Sequence, residues 1–106
     1  MAPSLPYEEH QPTRAEIDAL PGRTLLQFGT NWCGHCQAAE PLVDEALAGQ
    51  GDLRRIKAED GRGRPLGRSF AVKLWPTLIV LRDGHEVARL VRPTSAGAIR
   101  EALSRG

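Results

Sequence analysis

The 106-residue sequence has only two cysteines, Cys33 and Cys36, and nowhere an apolar run long enough to span a bilayer. A framework of several disulfides is therefore excluded. A chain of this length needs none, because it buries roughly two thirds of its unfolded surface by folding. Neither sign of charge dominates: 14 Lys and Arg against 13 Asp and Glu leave a net +1, which provides no field for nucleic acid or an anionic membrane. The first twenty residues hold Glu8, Glu9, Glu16 and Asp18 and no apolar stretch of signal-peptide length. The expectation is a soluble, cytoplasmic monomer with no membrane or nucleic-acid partner. Without internal repeats or a second compositional region, residues 1–106 read as a single domain, opening on an irregular segment over 1–12. Histidine is also scarce. His10, His35 and His85 stand at no ligand spacing that would complete a zinc site with the two cysteines. Gln37 follows Cys36 where covalent haem attachment needs histidine. A purely structural disulfide more often closes a long loop than two residues.

What remains is redox chemistry in Trp32-Cys33-Gly34-His35-Cys36. An apolar run gives way there to a helical pattern. Two residues between cysteines at a helix's first turn let the sulfurs bond and part with little backbone movement. The first sulfur lies among unpaired N–H groups at the positive end of the helix dipole, where a thiolate is stabilised. Cys33 is accordingly the expected nucleophile. Cys36, one turn on and more shielded, is the expected resolving thiol that opens the mixed disulfide.

Around this centre the chain reads as alternating strands and helices. Pro3, Pro6 and Pro12 break up the start, leaving Leu5 to Glu8 for a short edge strand. Thr13 and Glu16 form a capping box for a helix buried through Ile17 and Leu20 and stopped by Pro21-Gly22. Thr24 to Phe28 is a buried strand aimed at the cysteines. A helix from Cys33 runs through Leu42, Val43, Ala46 and Leu47 to Gly49–Gly51, with Pro41 expected to bend it. Leu53 to Ala58 predicts a second inner strand. The segment from Gly61 to Arg68 lacks the Lys-Ser/Thr ending of a phosphate loop; it reads as a flexible connection into a short helix near 69–72, with weak nucleic-acid contact by its four arginines as the alternative. Thr77 to Leu81 predicts a strand covered on both faces, and Asp83-Gly84 turns it into a hairpin partner over Glu86 to Val91. A helix over Ser95 to Ser104, buried through Ile99, Ala102 and Leu103, completes a three-layer α/β sheet.

Taken together, Trp32-Cys33-Gly34-x-Cys36, Pro41, Lys57, Pro76-Thr77, the Asp83-Gly84 turn and the final helix resemble the thioredoxin family from Thr24 onward. The resemblance implies a thioredoxin fold, with a central mixed β-sheet flanked by helices on both faces. It also implies disulfide exchange with protein substrates, an electron-donating reductase or glutathione, and no metal or organic cofactor. It makes Pro76 a cis-proline facing the cysteines and gives the Trp75 backbone the task of pairing with a substrate strand; plain packing is the alternative for Trp75, and for Trp32 beside shielding of the active-site edge.

Three departures from the family pattern bear on mechanism. His35 gives the dipeptide of protein disulfide isomerases, implying a more oxidising pair, by less than the roughly 90 mV that separates isomerase from thioredoxin. Gln27 replaces a buried acid, so activation of Cys36 is expected to fall to water, Lys57 or Glu40, with slow resolution. Arg92 replaces a small glycine and would favour acidic substrates, a solvated loop arginine being the alternative. The leading expectation is a cytosolic protein-disulfide reductase, with an oxidase or isomerase second. A non-catalytic, redox-sensing partner-binding module is the alternative from another class.

Overall fold

The computed structural model describes residues 6–8 and 11–106. Four strands form one mixed sheet: β1 (Arg23–Gly29), β2 (Leu53–Glu59), β3 (Thr77–Arg82) and β4 (His85–Val91), in the order β2-β1-β3-β4. β1 runs parallel to β2 and antiparallel to β3, and β3 pairs antiparallel with β4. Four helices accompany them: α1 (Arg14–Asp18), α2 (Gly34–Leu47), α3 (Pro65–Ser69) and α4 (Ala96–Leu103).

The alternation of side chains along β1 and β3 divides the core in two. Leu25, Leu78 and Val80 pack against Val43 and Ala46 of α2 and Ile99, Ala102 and Leu103 of α4. Leu26, Phe28, Ile79 and Leu81 pack against Ile17 of α1 and Leu66 and Phe70 around α3. Both faces of the sheet are thus covered. The capping box of α1 is formed by Thr13 and Glu16, and Ser95 caps α4 by accepting from Ala98 N. At the β3–β4 hairpin Asp83 and Gly84 have φ of 50° and 81°, the pairing of positive φ that a two-residue turn of this hand requires.

Two expectations need correcting. β2 lies at the edge of the four-stranded order rather than inside it, which lets Arg54 and Arg55 reach partners beyond the strand. On its outer side, Glu8 makes an isolated parallel bridge to Ala58, with Glu8 N donating to Lys57 O at 3.0 Å and Glu59 N to Glu8 O at 3.0 Å. The short helix lies at Pro65–Ser69, earlier than read. Its first residue is a proline whose fixed φ and missing donor suit that position, so half of the Gly-Arg segment is helix. Leu5, part of the expected edge strand, lies outside the described residues, as does His10. α2 continues through Pro41 without interruption.

Candidate active site

β1 delivers the chain to the redox pair and α2 begins on it. Cys33 is the N-cap of α2, and its Sγ accepts a hydrogen bond from the Cys36 backbone N at 3.3 Å. An anion on that sulfur would meet a donor and the positive end of a fourteen-residue helix. Cys36 is 1% exposed and Cys33 9%, so the first sulfur is at the rim and the second behind it. Both are free thiols. Burial first, and then the hydrogen-bonding Cys33 sulfur, push the Cys36 thiol from 9.0 up to about 11. Cys36 thus stays protonated near neutrality.

Gly34 and His35 are exposed on the first turn of α2. Trp32 is 72% exposed, and its ring meets Trp75 edge-on with centroids 5.8 Å apart. Trp75 packs against the cluster of Tyr7, Cys33 and Cys36, with its indole N–H donating to Asp60 Oδ2 at 2.8 Å. The Trp75–Pro76 peptide is cis, and Pro76 is buried. Arg92 stands at φ 50°, a conformation uncommon for a residue with a side chain. Its backbone N donates to Pro76 O at 3.0 Å and its Nε to Trp75 O at 2.8 Å. Arg92 therefore lies across the backbone acceptor that the resemblance assigns to a substrate strand.

Gln27 and Lys57 both meet Glu40. Lys57 Nζ pairs with Glu40 Oε1 at 3.0 Å, and Arg55 Nη2 with Glu40 Oε2 at 3.1 Å. Gln27 is fully buried, and its amide is completely engaged. Nε2 donates to Glu40 Oε1 at 2.8 Å and to the Tyr7 hydroxyl at 2.9 Å, while Oε1 accepts from Arg55 Nη2 at 3.0 Å. The amide cannot be turned over: a flip would set its oxygen against a carboxylate and its NH2 against a guanidinium.

Sequence reasoning missed Tyr7 and Gly29. Tyr7 is 4% exposed and belongs to the cysteine cluster. Its backbone N donates to Asn31 Oδ1 at 2.8 Å, and Lys57 Nζ lies 4.5 Å from its ring centroid. A Cβ on Gly29 would stand 2.5 Å from Cys36 Sγ and 2.8 Å from the Tyr7 hydroxyl. Only glycine leaves room there for phenol and thiol to meet. No local pattern marks Tyr7, since it arrives through the Glu8 bridge to a strand some fifty residues away.

The Thioredoxin family model matches residues 8–105. A thioredoxin from Mycolicibacterium smegmatis is 31% identical over 83 residues, covering 76% of this chain and 74% of that protein. Protein disulfide-isomerase A2 from Pongo abelii is 36% identical over 87 residues, which are 76% of this chain and 17% of that protein. Among solved structures, reduced thioredoxin 2 from Pseudomonas aeruginosa PAO1 superposes with a TM-score of 0.84 at 52% identity, over 96% of this chain and 98% of that one. With Cys33 capping α2 and accepting from the amide of a buried Cys36 one turn on, and with a family match over nearly its whole length, the chain belongs to the thioredoxin family and is a thiol–disulfide oxidoreductase.

Proposed function

We propose that the protein is a monomeric cytoplasmic reductase of protein disulfides. Cys33 thiolate attacks a substrate disulfide, forming a Cys33–substrate bond while the other substrate sulfur leaves with the electron pair and takes a proton. Cys36 then attacks Cys33, the Cys33–Cys36 disulfide forms, and the second substrate sulfur departs. The substrate gains two electrons and the pair loses them, so a dithiol reductase or glutathione must restore the thiols. The observation that carries this reading is the hydrogen bond from Cys36 N to Cys33 Sγ at the start of α2, which sets a donor and the helix N-terminus against the sulfur of the more exposed of the two cysteines. The chain has no cysteine outside the pair, in keeping with a compartment that holds thiols reduced. His35 sets the direction of exchange less firmly toward reduction than a proline would.

Arg92 gives the groove its preference. A substrate strand seeking Trp75 O competes with the arginine, and an acidic side chain nearby supplies a replacement partner for the displaced guanidinium. With dithiothreitol as donor, the protein is expected to accelerate reduction of insulin disulfides, and in the same assay to favour acidic over neutral disulfide peptides. Arg92→Gly is expected to remove that preference, by roughly fivefold. Reduction no faster than with dithiothreitol alone would refute the reductase reading. A preference unchanged in Arg92→Gly would refute the role of Arg92.

A further inference from the structure

The family's usual carboxylate near the resolving cysteine is here an amide, yet a hydroxyl stands in the space beside Cys36. We propose that Tyr7 is a catalytic residue whose hydroxyl donates a hydrogen bond to the Cys36 sulfur as that sulfur loses its proton and attacks the mixed disulfide, filling the place of the missing acid. The proposal rests on Cys36 being the resolving thiol.

The direction of the bond follows from the residues around it. The Gln27 amide, held by Glu40 at Nε2 and by Arg55 at Oε1, points an Nε2 hydrogen at the phenol oxygen. That oxygen is thereby an acceptor from Gln27, and its own hydrogen is free to turn to the sulfur across Gly29. A carboxylate at position 27 would draw the phenol hydrogen to itself. The amide sends it to Cys36. Titratable or charged groups around the phenol are Cys36 and Glu40 from α2 and Lys57 from β2, whose ammonium lies against the ring. Burial, and next the charge of Cys36, raise the phenol well above its usual value. Tyr7 therefore keeps its proton throughout and acts as a donor, not as a base. The hydroxyl in turn draws the Cys36 thiol downward, against the burial that raises it. Cys36 gives its proton to solvent, its thiolate attacks Cys33, the Cys33–Cys36 bond forms, and the departing sulfur takes the pair and a proton from water.

Ellman's reagent separates the two halves of the reaction. The reduced protein releases one thionitrobenzoate as Cys33 attacks and a second as Cys36 resolves. In stopped flow, Tyr7→Phe is expected to slow the second release roughly tenfold or more, as loss of a hydrogen bond to a charged sulfur implies, and to move its pH midpoint upward. The first release is expected to keep its rate, which also reports an intact site. Tyr7 is the only tyrosine in the chain, so fluorotyrosine fed during expression alters this phenol alone. Its more acidic hydroxyl is expected to move the midpoint of the second release downward, and this holds as a test even where Tyr7→Phe fails to fold. A second release with unchanged rate and midpoint in Tyr7→Phe, or an unmoved midpoint in the fluorinated protein, would overturn the proposal. Absence of a first release from the unmodified protein would instead overturn Cys33 as the attacking sulfur.

Discussion

Cys36→Ser is expected to lower catalysed insulin reduction by about 10³-fold while leaving the first attack on a substrate disulfide intact. The rim sulfur keeps its site: the amide at position 36 that donates to Cys33 Sγ belongs to the backbone and survives the substitution. What disappears is the second sulfur, behind the first at 1% exposure. A serine hydroxyl cannot form the closing disulfide, so each attack ends as a covalent adduct at Cys33. Peptide mapping after mixing with a disulfide-bearing protein extract should find many adducts, all at Cys33. A scaffold whose cysteines only sense redox state would collect one or none, and near-normal turnover in this variant would remove Cys36 from the mechanism.

Glu40→Ala is expected to have the largest effect on stability, about 3 kcal/mol or roughly 15 °C in Tm. One carboxylate there receives Lys57, Arg55 and the Gln27 amide. The Lys57 side chain is 6% exposed, so its ammonium loses a close counter-charge where water reaches it poorly. Glu40 itself is 19% exposed, and some water at the cluster keeps the loss at the low end of the range for breaking a buried pair. Gln27 would also lose the partner that fixes its orientation, and with it the aim of the Tyr7 hydroxyl. Glu40→Gln retains hydrogen bonding without charge and should cost less. Thermal unfolding decides: a Tm within a few degrees of the parent in Glu40→Ala would show that the cluster carries little of the fold.

The sequence disclosed most fully the elements whose signals are local. Thr13 with Glu16, the continuous apolar run of β3 and the Asp83-Gly84 turn each fix their structure within a few residues, and each stands where read. α3 lies earlier than the composition of Gly61 to Arg68 suggests, because that composition signals flexibility while Pro65, at the first helical position, is a start signal. Position is harder to read than type. Nothing in Leu53 to Ala58 tells an edge strand from an inner one until its outer side is seen to carry only the isolated Glu8 bridge among the described residues.

At the site the spacing of Cys33 and Cys36 made the chemistry visible, but the environment of Cys36 was not. Gln27 looked like a lost proton carrier; in place, it is an amide locked between Glu40 and Arg55 with one hydrogen aimed at Tyr7. Three nearby prolines hide Tyr7 in a segment that reads as irregular, and its burial depends on pairing with β2 and on the side chain of Asn31. Arg92 reads from the sequence as a bulky charge; its donation to Trp75 O depends on a fold that brings together residues 17 apart.

Alkylation measures directly the proposed division between an attacking Cys33 and a waiting Cys36. Reduced protein is treated briefly with iodoacetamide across a pH series and each cysteine is scored by peptide mass. The label is expected on Cys33 alone near neutrality, with Cys36 becoming reactive only as the pH climbs toward about 11, where its thiol ionises. Labelling of Cys36 as fast as Cys33 at neutral pH would contradict it.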